Sequence, residues 1–208
     1  MFRLQQGSNM NKQDLLKQIA ELAYNVGFGA KKHFATYDIL EKLPGFIGFC
    51  SLAVGILGLV FDFLNSKGLS ALFIILGITE FYFDRYNEIK DNFSQKGEDL
   101  TKLFHELKIL YYDVKASSGD NLDKESDSLS DISHRYLANC LSRQILFSDW
   151  FAHYKFFWQN QIEWVDEQKK FKLWRDKIPL TFTLFAITLL LVALCVSIKL
   201  CKGINPVI

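Results

Sequence analysis

The sequence predicts an all-α membrane protein, built as a transmembrane helical hairpin, a cytoplasmic helical bundle or stalk, and a third, C-terminal transmembrane helix. Three observations predict it. Half of the 208 residues are apolar while 23% are charged, a mixture that requires the two kinds to be segregated along the chain. They are segregated: apolar runs occupy residues 44–61, 69–83 and 178–200. Between the second and third runs, apolar residues recur at alternating spacings of four and three from Tyr82 to Val114.

The first run carries no charge over about eighteen residues, the length a bilayer-crossing helix needs. The second follows after the short polar turn 64–68, so a hairpin crossing twice is the economical reading of residues 43–86. In lipid every backbone N–H and C=O must be satisfied within the segment, which makes both runs helices. The basic residues orient them. Arg3, Lys12, Lys17, Lys31, Lys32 and Lys42 precede the first run, Lys67 alone lies in the turn, and a large group follows between Arg85 and Lys177. The positive-inside rule then places the N-terminus and residues 87–177 in the cytoplasm. The N-terminus does not read as a secretory signal, because more than forty mostly polar or amphipathic residues precede the first apolar run.

Residues 1–42 form the cytoplasmic amphipathic segment. Leu15, Ile19, Leu22 and Val26 define one helical face, and beside it runs a row that is small in its middle: Leu16, Ala20, Ala23, Gly27, Ala30, Phe34 and Tyr37. Such a row lets another helix approach closely. Pro44 is expected to end this helix before the membrane begins.

Within the first run, Gly48, Ser51, Gly55 and Gly58 fall at spacings of three, four and three and make a stripe of small residues. Stripes of this kind bring transmembrane backbones into contact. Two uses are open to it, packing of the hairpin on itself and contact between subunits. Glu80 is the one ionisable residue well inside the second run, ~18 Å along the helix from Gly68 at 1.5 Å per residue. Either it sits at the cytoplasmic interface near Arg85 or it lines a hydrated path.

The spaced apolar residues beyond the second run, Ile89, Phe93, Leu100, Leu103, Leu107 and Leu110, with Lys96 as the single polar interruption, read as a coiled-coil seam. A helix continuous with the second run would project from the membrane as a stalk, with a bend at Gly97. Residues 116–130 are polar and acidic and read as a loop. A helix over 131–147 follows, then an aromatic-rich one from Ser148. Its end interleaves Lys169, Lys170, Lys172, Trp174, Arg175 and Lys177 with other apolar residues, and Trp174, Arg175 and Lys177 read as a membrane-interface anchor. Residues 178–202 form the third span.

Several function classes are excluded. A net charge of +1 and the lack of a basic groove argue against direct nucleic-acid binding. There is no phosphate-cradling glycine loop, no nucleophile elbow, and no metal-ligand spacing among His33, His105, His134 and His153. The cysteines Cys50, Cys140, Cys195 and Cys201 are scattered and read as small hydrophobes in a reducing compartment. No enzyme and no cofactor are expected.

The order of these parts resembles a known family. An amphipathic helix with the stretch Ala23 to Phe34 (AYNVGFGAKKHF), a tight hairpin, and a long helix leaving it through Phe81-Tyr82-Phe83-Asp84-Arg85-Tyr86 are similar to the SLATT family of bacterial two-transmembrane effectors. The third apolar run departs from that family's two-span pattern. The resemblance implies residence in the bacterial inner membrane and contact with lipid. It also implies homo-oligomerisation and pore formation or membrane disruption as an antiviral, abortive-infection response. The trigger would come from a neighbouring-gene sensor or a nucleotide second-messenger system. The rival expectation is a non-conducting scaffold that recruits a soluble partner through its cytoplasmic helices.

Overall fold

The structure is a computed structural model that describes residues 11–64, 66–118, 121–139 and 144–203. Seven α-helices are present among them, and no strand: α1 (Lys12–Gly58), α2 (Lys67–Asp84), α3 (Lys90–Ala116), α4 (Asp123–Ala138), α5 (Ser148–Trp158), α6 (Glu163–Lys169) and α7 (Leu180–Gly203).

The axis of the molecule is α1. Asn11 caps it, its side-chain oxygen accepting from the Asp14 N–H at 2.8 Å, and the Asp14 carboxylate faces the positive end of the helix dipole. The helix then runs through Pro44 without ending, contrary to the expected break. Proline removes the hydrogen bond to the Leu40 carbonyl. The turns on either side are held from outside: Leu40 and Ile47 are both buried in one cluster with Phe83, Phe93 and Ile145, so packing carries the helix across the missing bond.

The first half of α1 is buried, as its two adjacent apolar rows predict. Its principal partner is α3, which lies antiparallel along it from the Glu41–Lys90 ion pair at one end to a hydrogen bond from Lys12 Nζ to the Ser117 carbonyl, 2.7 Å, at the other. Two reciprocal insertions set their separation. A Cβ on Gly27 would fall 2.8 Å from the ring of Phe104 on α3, and a Cβ on Gly97 would fall 2.9 Å from the ring of Phe34 on α1. Gly97 therefore marks a close approach within a continuous helix and not a bend.

The expected stalk is corrected here. The chain is not continuous from the second apolar run into the seam: α2 stops at Asp84 and a 3-10 turn, Asn87–Ile89, intervenes before α3. Phe83, Tyr86 and Ile89 turn inward at this break and join the cluster around Leu40 and Phe93. The seam itself is consumed within one chain. Phe93, Leu100, Leu103, Leu107 and Leu110 are buried, Leu100 through Leu110 against Leu15, Ile19 and Val26 of α1, and Lys96 donates to Asn139 Oδ1 at 2.7 Å.

The acidic segment also folds further than expected. Helix α4 begins at Asp123, so only residues 117–122 connect it to α3. Asp123 and Glu125 occupy its first turn, where the helix N-terminus favours negative charge, and Asn121 Oδ1 accepts from the Asp123 N–H at 3.1 Å. Leu129 and Ile132 then dock on α3, where Arg135 pairs with Glu106. At the other end α4 stops at Ala138, short of the expected 147. Cys140 and Leu141, expected on its apolar face, lie outside the described residues.

Aromatic residues close the body. Phe156 of α5 packs edge-on against Tyr24 and Phe28 of α1, at 5.6 and 6.0 Å. Trp164 of α6 lies 5.3 Å from Phe104 and 5.2 Å from Tyr111. Segment 144–147 is tied to α1 by Gln144, whose Oε1 accepts from Thr36 Oγ1 at 2.6 Å and whose Nε2 lies 3.4 Å from His33 Nδ1.

Two predictions follow from this packing. Gly27→Val should overpack the Phe104–Phe156 contact and destabilise the fold by about 1–3 kcal/mol in denaturant unfolding, whereas valine at an open glycine of α1 should not. His33 is 3% exposed, and burial, with Lys32 and Lys96 nearby, pushes its imidazole down from 6.5 to about 4. On acidification the unfolded chain takes up this proton first, so stability held above pH 6.5 is lost as pH falls towards about 4. The thermal midpoint of His33→Leu should therefore fall less over that interval than that of the wild type.

Candidate functional site at the membrane junction

Beyond Pro44 the side chains of α1 change partner. Phe46, Phe49, Leu52 and Ile56 project outward, as do Ile74, Ile75, Ile78 and Phe81 of α2 and nearly every large residue of α7 from Leu180 to Ile198. An apolar surface of this extent is not stable against water. Among the described residues, α1 and α7 each contain a stretch long and apolar enough to cross a bilayer. Helix α2 is apolar through its middle but carries Lys67 at its start and Glu80 and Asp84 near its end.

Where α1 and α2 leave the body they enclose a cleft of about 630 Å³. Its walls include Pro44 and Gly45 of α1, Gly77 and Phe81 of α2, and the polar groups Glu41, Glu80, Asp84, Asn87 and Lys90. Glu80 thus points into a cleft at the junction and not onto the outer face of α2. Glu80 and Asp84 are four residues apart and share a helix face, while Glu41 is held by Lys90. One turn earlier on α1, Asp38 accepts from Lys42 at 2.9 Å and from Lys155 of α5. Burial acts to raise the Asp38 carboxyl, and the hydrogen bonds from Lys155 and Lys42 outweigh it, leaving it below its ordinary value.

The small-residue stripe lies on the outward part of α1. A Cβ on Gly48 or on Gly55 would meet nothing within 4 Å, so α2 does not pack into either position. Ser51 and Gly58 are partly exposed between and beyond them. Of the seam residues, Ile89 is half-buried at the 3-10 turn and Phe93 to Leu110 belong to the interior of the body. At the base of α7, Trp174 is 78% exposed on a π-turn, Leu173–Lys177, with Arg175 paired to Asp176 at 2.9 Å and Lys177 reaching Asp166 at 3.9 Å. Neither the stripe, the seam nor the anchor contributes a residue to the cleft that holds Glu80. Sequence reasoning missed Glu41, Asp84 and Lys90 as neighbours of Glu80, because only the pairing of α1 with α2 and α3 brings them together.

Among the described residues no group of three or more His, Cys, Asp or Glu side chains is placed to hold a metal ion. Outward-facing apolar helices leaving one packed helical body define the class, an all-α membrane protein. Within that class, the chain belongs to the SLATT family: the family described as SMODS and SLOG-associating 2TM effector domain 6 matches residues 10–186, from the cap of α1 into the first turns of α7. It is thus a two-transmembrane effector domain of conflict systems. No curated protein and no solved structure matches the chain.

The location of the seam is open to direct measurement. Leu107 is fully buried against α1, so Leu107→Ala should lower the unfolding free energy of the single chain by about 2–5 kcal/mol. A variant that left single-chain stability intact and only lowered oligomer mass would return the seam to a contact between subunits.

Proposed function

We propose that the protein is the membrane-acting arm of a bacterial antiviral, abortive-infection system, and that copies associate within the inner membrane to form or disrupt pores when a partner sensor is triggered. In this reading the second half of α1 and α2 cross the bilayer as a hairpin and α7 crosses again. The first half of α1 and helices α3 to α6 lie on the cytoplasmic side, where the basic residues concentrate. Family membership supports the effector role.

The observation that carries the assembly step is the open space at two positions of the stripe on α1, Gly48 and Gly55. Small residues on a lipid-facing helix lose little by facing lipid, and they gain when a second helix approaches to van der Waals contact. Gly48 and Gly55 have no such neighbour within the chain. The heptad seam is already occupied by α1, so the bilayer, and not a cytoplasmic stalk, is where copies would meet. Oligomerisation of the hairpins would bring the Glu80 clefts of several subunits into one ring at the membrane surface.

Gly55→Leu tests this reading. The substitution meets open space in the single chain, so its thermal midpoint should stay at the wild-type value. Dye release from liposomes, and growth arrest on expression, should fall about tenfold or more, the equivalent of 1.4 kcal/mol in the association equilibrium. Membranes that stay sealed with abundant wild-type protein, together with a stable soluble partner in pull-down, would instead identify a non-conducting scaffold.

A further inference from the structure

The connection into α5 ends on Leu146 and Phe147, which turn large apolar side chains outward, 65% and 51% exposed. Phe147 also has a positive φ of 67°, a conformation that an aromatic residue seldom adopts. Its neighbour Ser148 is buried, with Oγ donating to the Ile145 carbonyl at 2.8 Å, so the backbone on both sides of Phe147 is fixed. The fold holds an exposed Leu-Phe tip in a conformation that costs energy, and among the described residues Trp150 stands beside it without covering it.

Two contacts locate that tip relative to the apolar helices. Immediately before it, Ile145 is buried in the junction cluster with Leu40 and Ile47 of α1 and Phe83 of α2. Immediately after it, Trp150 lies 4.9 Å from Phe147, packs on Phe182 and Phe185 of α7 at 5.3 Å each, and donates its Nε1–H to Thr181 Oγ1 at 2.9 Å. These α7 residues belong to its first two turns. The tip is therefore level with the place where α1 and α2 leave the body and with the place where α7 leaves it. The neighbouring carboxylate of Asp149 is paired with Lys32 on α1 at 2.7 Å.

We propose that Leu146 and Phe147, flanked by Trp150, insert into the lipid surface and form a membrane anchor distinct from the spanning helices. The occupant is bilayer lipid because the tip continues the apolar surface of α7, where Leu180, Phe182 and Phe185 face outward. Trp150, its one N–H held by Thr181, contributes the apolar face of its ring and fixes the tip against the first turns of α7. The anchor holds segment 144–147 and α5 at the membrane surface, and these are tied to α1 through Gln144–Thr36 and Lys155–Asp38. It rests on α7 being a membrane helix but not on pore formation, so the two readings fail separately.

The test uses the full chain with its four native cysteines replaced by alanine, a single Phe147→Cys, Lys124→Cys or Leu180→Cys substitution labelled with an environment-sensitive fluorophore, and phosphatidylcholine–phosphatidylglycerol liposomes. Lipid spin-labelled near the headgroup should quench position 147 several-fold more than position 124 and to a similar extent as position 180. Aqueous iodide should quench 124 most. Position 147 following 124 while 180 follows the lipid overturns the anchor. Shielding of 147 from iodide without lipid quenching also overturns it, and assigns the tip to a contact between proteins. Failure of 180 to respond to lipid overturns the membrane assignment of α7 and the anchor with it. A second variant separates insertion from folding. Phe147→Gly relieves the positive φ, so the thermal midpoint should hold or rise while lipid quenching of a label at Leu146→Cys drops at least twofold. A lowered midpoint with unchanged quenching would show that the ring works inward and would overturn the proposal.

Discussion

Two glycines and two phenylalanines set the distance on which the rest of the molecule depends. Phe104 of α3 enters the space above Gly27 of α1, and seven residues forward on α1 and seven back on α3, Phe34 of α1 enters the space above Gly97 of α3. The interval is one heptad in both directions, so the pair repeats with the period at which two left-handed supercoiled helices present the same face to each other. With α3 fixed at this separation, its C-terminal half covers the apolar start of α1, and its exposed flank becomes the platform for α4. The aromatic side chains of α5 and α6 then fill what the two helices leave open. A bulkier residue at either glycine would force the facing ring, or the helix behind it, to shift.

The same antiparallel pair makes α1 one rod with two solvents. Its first half is surrounded by protein and its second half by apolar surroundings, and the change occurs within a turn of Pro44. Proline at that point weakens the backbone ladder where the surroundings change, and compensation comes from the body: Leu40 and Ile47 are gripped from α2, α3 and the segment after α4, while Asp38 and Glu41 are tied to Lys155 and Lys90. Two of the polar ties at the junction join α1 to other helices, through Lys155 to α5 and through Lys90 to α3. A rearrangement of the body would therefore be felt at the base of the hairpin, and the cleft containing Glu80 is where the resulting change in spacing would fall.

Much of this was legible in the sequence because it is written in local periods. The small row from Ala20 to Ala30 announces a close helix neighbour, and the spacing from Phe93 to Val114 announces a long apolar edge. Neither says which helix is the neighbour. A heptad edge satisfied within a chain and one satisfied between chains look alike, which is why the seam reads as a stalk until α3 is seen lying on α1. The acidic start of α4 misleads for a different reason: Asp123, Glu125 and Asp127 look like loop composition, yet the first two sit where a helix terminus offsets their charge. Pro44 misleads because local propensity argues for a stop and tertiary packing overrides it. The conformation of Phe147 was not legible at all, since a positive φ at an aromatic residue is imposed by the fixed backbone around Ile145 and Ser148.

Glycine plays two roles along α1, and the difference between them separates folding from assembly. At Gly27 the missing side chain is replaced by two rings of the same molecule, and the contact is complete once the chain has folded. At Gly48 and Gly55 nothing replaces it. In water such a groove would be hydrated at little cost, but on a membrane helix it faces lipid chains, which fill a narrow groove poorly because they are flexible and must be ordered to do so. A rigid helix fills it better. Under the proposed function, a second copy of the same helix would meet α1 at Gly48 and Gly55 without disturbing the packing that Gly27 and Gly97 hold in place.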